Sequence, residues 1–128
     1  MFSNIPLLFS GLTSGMILFQ SAIVAPSVFK VLREENAGLF LRATFPKLFL
    51  VAAIFGSIQL LLSSFFLNLD IVVVGLVTSV LMTICYLIIP STNKARDTGN
   101  SKKFSRLHSI SVSFTLIVLI LNLLVFFI

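Results

Sequence analysis

The stretch Pro90–His108, PSTNKARDTGNSKKFSRLH, is the longest hydrophilic run in a chain of 128 residues. It carries five of the nine Lys and Arg residues: Lys94, Arg96, Lys102, Lys103 and Arg106. The other four, Lys30, Arg33, Arg42 and Lys47, fall in a second polar stretch nearer the N-terminus. Outward from these two stretches the chain is almost wholly apolar. Charged residues make up 10% and hydrophobic residues 58%, against roughly 25% charged in an ordinary soluble domain. That composition cannot supply a polar surface for a soluble fold of this size, so lipid is the expected solvent. The length sets a single domain over residues 1–128.

Crossing roughly 30 Å of hydrocarbon takes about 20 apolar residues. Four segments meet this: about Ile5–Ala25, Leu48–Leu67, Ile71–Ile89 and Ser109–Ile128, none with a Lys, Arg, Asp or Glu. Each is expected to be helical, because a lone strand leaves its backbone unsatisfied in lipid and four short strands cannot close a barrel. The expected fold class is all-α, a polytopic four-helix transmembrane bundle built from two helical hairpins. The basic residues then lie in connections 26–47 and 90–108, while the remaining link, Asn68–Asp70, has none. By the positive-inside rule both basic connections face the cytoplasm and both termini the opposite side of an inner (plasma) membrane. The formal charge of +5 is thereby explained without nucleic acid, for which no folded basic face remains. The N-terminus lacks the basic n-region of a cleaved signal peptide.

The basic connections are expected to be partly helical. Val28, Phe29 and Leu32 extend the first span towards Asn36, with Gly38 suited to a C-cap. Pro46 either opens the second span or kinks a helix begun near Leu39. Thr98–Ser101 is the turn-forming part of the second connection.

A shift of 64 residues superimposes the two halves with eleven identities, where this composition gives about five or six by chance. Pro26, Ser27, Lys30, Asn36, Phe40 and Arg42 fall on Pro90, Ser91, Lys94, Asn100, Phe104 and Arg106. A duplicated hairpin explains these matches, with an axis along the membrane normal. So does the shared need of any two such hairpins for a proline exit and basic ends. Small residues offer helix-packing faces in each span: Gly11 and Gly15, Gly56 with Ala52, Gly75 and Ser79, and the serines of the last span.

The chemistry-bearing residues are few. Cys85 is the single cysteine and His108 the single histidine, so no disulfide and no Cys/His metal set forms within the chain. No catalytic residue, resident metal or cofactor is expected, and none of the GxGxxG, P-loop, GxSxG or HExxH patterns occurs. No span holds a carboxylate or base, which disfavours ion-coupled transport. Gln20, Gln59, Tyr86 and Asn122 are expected to make interhelical hydrogen bonds. The basic residues together offer a site for anionic lipid headgroups.

Two motif clusters resemble a known family. One is P-x-x-F-K-x-L at Pro26–Leu32 followed by F-P-x-x-F at Phe45–Phe49. The other is P-x-x-N-x-x-R-D at Pro90–Asp97 followed by F-x-x-L-H-x-x-S at Phe104–Ser111. Together they resemble the small four-span membrane proteins that include transmembrane protein 205 and many bacterial relatives. The resemblance implies four spans and no established activity; the vertebrate member is associated with altered handling of platinum drugs. It places a functional face on Pro26, Phe29, Pro46, Pro90, Asn93, Arg96, Asp97, Phe104 and His108; Arg42, a basic residue of the same connections outside these motifs, is counted as a candidate with them.

Three functions follow as expectations. The first is a structural or accessory membrane component, as part of a larger membrane complex or a homo-oligomer. The second is an oligomeric exporter of a small solute or metal, with a path lined by Gln20, Ser21, Thr83 or Cys85. The third is a haem-associated protein using His108.

Overall fold

In the computed structural model, which describes residues 2–128, 93% of the described residues are helical and no strand occurs among them. After a 3-10 turn at Phe2–Asn4, helix α1 runs Ile5–Leu18. A π-helical segment, Phe19–Val24, leads into α2 at Ala25–Val31. Helix α3 spans Glu34–Phe65, α4 Leu69–Asp97 and α5 Ser101–Leu124, with a final 3-10 turn at Val125–Phe127. Four helical stretches are long and apolar enough to cross a membrane. The chain is therefore a multi-pass membrane protein with a four-helix bundle. Its lipid-facing residues include Leu8, Phe19, Leu61, Leu87 and Ile117, all exposed.

The connections expected at 26–47 and 90–108 are mostly helix. The first span does not run on to Asn36, and Gly38 is no C-cap. The helix ends at Val31, Leu32 and Arg33 are extended, and α3 begins at Glu34. The reason is electrostatic: Glu34 and Glu35 suit the positive end of a new helix better than the negative end of an old one. Pro46 and Pro90 lie inside α3 and α4. Each forfeits one helical hydrogen bond, a loss membrane helices tolerate in a bundle. Pro26 is accommodated by the π-helical segment. There the Ala25 N–H reaches the Gln20 carbonyl five residues back, widening the turn that the proline ring must pass.

The two tight turns use the same chemistry. At 66–68, Leu67 takes a left-handed φ of 55° and the Asn68 side chain accepts from the Ile71 N–H. At 98–100, Gly99 takes φ 72° and Asn100 accepts from the Lys103 N–H. Asparagine in this position caps the next helix by satisfying an orphan N–H. Under the 64-residue shift, the end of α4 at Asp97 falls on the break at Arg33, while the π-helical segment occurs in the first half alone.

The helices pack in the ring order α1, α3, α4, α5, and the tightest pair is α3 with α4. A methyl added at Gly75 would stand 2.6 Å from the Leu60 nitrogen, and one at Gly56 2.7 Å from the Ser79 nitrogen. Backbones thus touch where the side chains are missing, which is how lipid-embedded helices gain contact. A hydrogen bond of 2.8 Å between the Ser57 and Ser79 hydroxyls spans the same crossing. Gly11 and Gly15 do not share this role. Gly11 faces the Phe126 ring and Gly15 has nothing within 4 Å.

Along the membrane normal the interior is layered. Farthest from the basic residues, Ile71, Val74 and Val125 form an apolar plug. Next comes a buried polar layer containing Ser10, Thr13, Ser14, Gln59, Thr78 and Asn122. Below it Ile17, Leu48, Phe49, Ala52, Ala53, Met82, Cys85 and Val118 form the main apolar core. Towards the basic end the bundle opens.

Candidate functional site

The opening is a slot of about 530 Å³ between the basic ends of the helices, within the size range of small-molecule sites. Each helix supplies one wall. The first span gives Ile17, Ser21, Ala25 and Phe29; α3 gives Gly38, Leu41, Arg42, Phe45, Pro46 and Phe49. Helix α4 gives Ile89, Thr92, Asn93 and Arg96, and α5 gives Phe104, His108, Ser111, Val112, Thr115 and Leu116. The floor, around Ile17, Phe49, Ile89 and Leu116, is mainly apolar, the hydroxyls of Ser21, Ser111 and Thr115 lie along the walls, and the charged groups gather at the rim.

The slot exists because two helices part. Helix α1 packs on α5, but α2 rests on α3 instead. The widened π-helical turn and Pro26 lie at the point of divergence. Phe29 on one edge and Val112 and Leu116 on the other are each more than half exposed. The gap between α2 and α5 therefore faces the bilayer sideways.

The rim is ordered by two contacts. Arg42 forms a bidentate ion pair with Asp97, the one ion pair within 4 Å among the described residues, with Nη1 donating to Oδ2 at 3.2 Å. It joins α3 to α4 across the mouth. The guanidinium holds the Asp97 carboxyl below the usual carboxylate range, first by hydrogen bonding and then by its charge. The second contact is a stack: Arg96 lies 5.6 Å over the Phe104 ring, and that ring stacks on His108 at 5.7 Å, tilted by 10°. A cation on an aromatic face keeps its N–H groups free at the edges. Outside the mouth a shallower groove brings Arg33, Glu34 and Glu35 near Arg42 and Arg96.

Of the residues singled out in the sequence, Phe29, Arg42, Pro46, Asn93, Arg96, Phe104 and His108 line this one slot. Asp97 stands at its edge through Arg42. Pro26 and Pro90 are exposed and outside the lining. Gly56, Gly75 and Ser79 meet at the α3–α4 crossing, away from the slot. The apolar floor escaped sequence reasoning, because Ile17, Phe49, Ile89 and Leu116 look like any other span residues; only their spacing from the motif residues marks them.

The polar layer is separate. Gln59 donates to the Ser10 hydroxyl at 2.8 Å, and Asn122 donates to the Thr78 hydroxyl at 2.8 Å and to the Val118 carbonyl. Both make the interhelical bonds expected of them. Gln20 is buried with its amide nitrogen unpaired, and Tyr86 is exposed. The four residues an export path was expected to use do not share a cavity. Ser21 lines the slot, Cys85 is in the apolar core, and exposed Thr83 bonds the Ser79 carbonyl of its own helix.

The family model for a domain of unknown function, DUF4149, matches residues 8–101, from within α1 to the first residue of α5. No curated protein and no solved structure matches the chain.

Proposed function

The chain belongs to the DUF4149 family, and we propose that it is an accessory membrane protein whose work is to hold an amphiphile in the slot at its basic end. The observation that carries this is the shape and chemistry of that slot: an apolar floor, a polar rim and a side open to lipid. Ligand sites are typically apolar clefts with a few convergent polar groups, and here the cleft adjoins the solvent in which amphiphiles dissolve. The kinship with the small four-span proteins that include transmembrane protein 205 belongs to this reading. It is supported by the gathering of most of the motif residues around one cavity. The basic end faces the cytoplasm of an inner or plasma membrane, which the one-sided placement of all nine Lys and Arg residues supports. Labelling of cysteines introduced at positions 98 and 69 tests that orientation. Position 98 is reactive only from the cytoplasmic side and position 69 only from outside; the reverse pattern would overturn it.

An exporter draws less support, since the apolar core layer lies between the slot and the polar layer. The test is extraction in mild detergent followed by native mass spectrometry. The wild-type protein carries one amphiphile per chain, and Ser21→Phe, which fills the slot from its exposed edge, loses it while remaining folded by circular dichroism. Equal retention by both forms would overturn the assignment.

A further inference from the structure

We infer, building on the slot as an amphiphile site, that its ligand is an anionic, membrane-resident acyl lipid whose headgroup is bound by Arg96, with one chain lying on the apolar floor. Three observations meet here.

The first is the charge at the rim. Arg42 and Arg96 both reach the slot, but they are not equivalent. Arg42 is neutralised by its bidentate pair with Asp97 and acts as a strut between α3 and α4. Arg96 makes no hydrogen bond to a carboxylate among the described residues. It lies instead over the face of Phe104, 5.6 Å from the ring centroid, a contact that uses none of its N–H donors. A planar fork with free N–H groups suits the paired oxygens of a phosphate or carboxylate. The Asn93 side chain lies one helical turn before Arg96 on the same wall, and His108 is stacked behind Phe104. Glu34 and Glu35 share the neighbouring groove with Arg96 but lie beyond 4 Å of any cation among the described residues, so they leave its donors unoccupied.

The second is depth. The wall residues from Phe104 to Leu116 extend roughly 18 Å along α5 at 1.5 Å per residue. The guanidinium groups stand at one end only, and the Thr115 hydroxyl near the other is turned back on the Ser111 carbonyl of its own helix, which matches a headgroup at the membrane interface with a chain directed inwards. The third is access. The lateral gap between α2 and α5 lets a lipid enter from its own leaflet, without passing through water.

The test uses delipidated full-length protein, phosphatidylglycerol and phosphatidylcholine with the same chains, and inorganic phosphate. Binding is read by native mass spectrometry. The wild type prefers the anionic lipid by about tenfold or more, the scale of a charge-assisted hydrogen bond. Arg96→Gln binds both lipids alike, and Arg96→Lys, which keeps the charge without the fork, recovers only part of the preference. Lys102→Gln with Lys103→Gln, outside the slot, retains the wild-type preference. Equal binding of both lipids by the wild type, lost in Ser21→Phe, would overturn the anionic assignment while leaving the amphiphile site standing. Failure of either lipid to bind, or binding untouched by Ser21→Phe, would remove both. A preference abolished by the Lys102/Lys103 change but kept in Arg96→Gln would assign it to the general basic surface and overturn the role of Arg96. Competition by inorganic phosphate as effective as that by phosphatidylglycerol would overturn the membrane source.

Discussion

Gly75→Ala is the perturbation whose cost the structure sets most narrowly. The added methyl would lie 2.6 Å from the Leu60 nitrogen, 2.9 Å from the Leu60 Cα and 3.0 Å from the Gly56 carbonyl oxygen. All three are backbone atoms, so no side chain can swing aside. Ordinary contact begins near 3.4 Å, so α3 and α4 have to part by about 0.8 Å at the crossing. A gap of that size forfeits roughly a quarter to a half of each van der Waals contact on either side. It also strains the 2.8 Å Ser57–Ser79 hydrogen bond one turn away. Overpacking typically costs about 1–3 kcal/mol, and dispersion is the main force holding helices together in lipid, so a loss of about 2 kcal/mol is expected. Gly56→Ala meets the Ser79 nitrogen at 2.7 Å and costs a similar amount. The double variant costs less than the two together, because the helices part only once. Gly15→Ala, with nothing within 4 Å, leaves stability unchanged or slightly raised. The assay is reversible unfolding of the reconstituted protein in mixed micelles, followed by circular dichroism. A Gly75→Ala protein as stable as wild type, or a Gly15→Ala protein destabilised as much, would refute the packing argument.

Asn122→Ala removes the hydrogen bonds to Thr78 and to the Val118 carbonyl and lowers stability by about 0.6–1.7 kcal/mol in the same assay, the range for interhelical bonds in membranes. Leu67→Gly relieves a left-handed backbone at φ 55° and stabilises by about 1 kcal/mol, while Gly99→Ala, at φ 72°, costs about as much. Asp97 has its carboxyl pKa depressed by Arg42, so the pair's contribution is complete above the ordinary carboxylate pKa and fades as pH falls through the lower folded value. Thermal unfolding from pH 7 down to pH 3 therefore shows an acid-side loss in wild type that is reduced in Asp97→Asn.

The helical bundle was legible because lipid imposes a strong rule: apolar runs of span length with the basic residues confined to one end leave few alternatives. The slot was legible in part. Phe29, Asn93, Arg96, Phe104 and His108 could be named from their motifs, but nothing in a linear pattern says that α2 diverges from α5. The π-helical segment before Pro26 lies at that divergence, and its wider turn has no compositional signature. The same blindness explains the glycines. Gly11–Gly15 and Gly75–Ser79 read alike and occupy matching places in the two halves, yet only the second pair meets a partner backbone. Which face of a helix a neighbour covers depends on the whole ring of contacts. The start of α3 at Glu34 was more accessible than it looked, since two adjacent glutamates mark a helix beginning.

The most direct test of the central claim is to let the wild-type protein take up a phosphatidylglycerol carrying a photoreactive group near the end of one acyl chain, irradiate, and map the adducts. A lipid seated in the slot places them on Ile17, Phe49, Ile89 and Leu116, and Ser21→Phe removes them. Adducts spread over the outward-facing Leu8, Leu61 and Leu87 instead, unchanged by Ser21→Phe, would contradict the account.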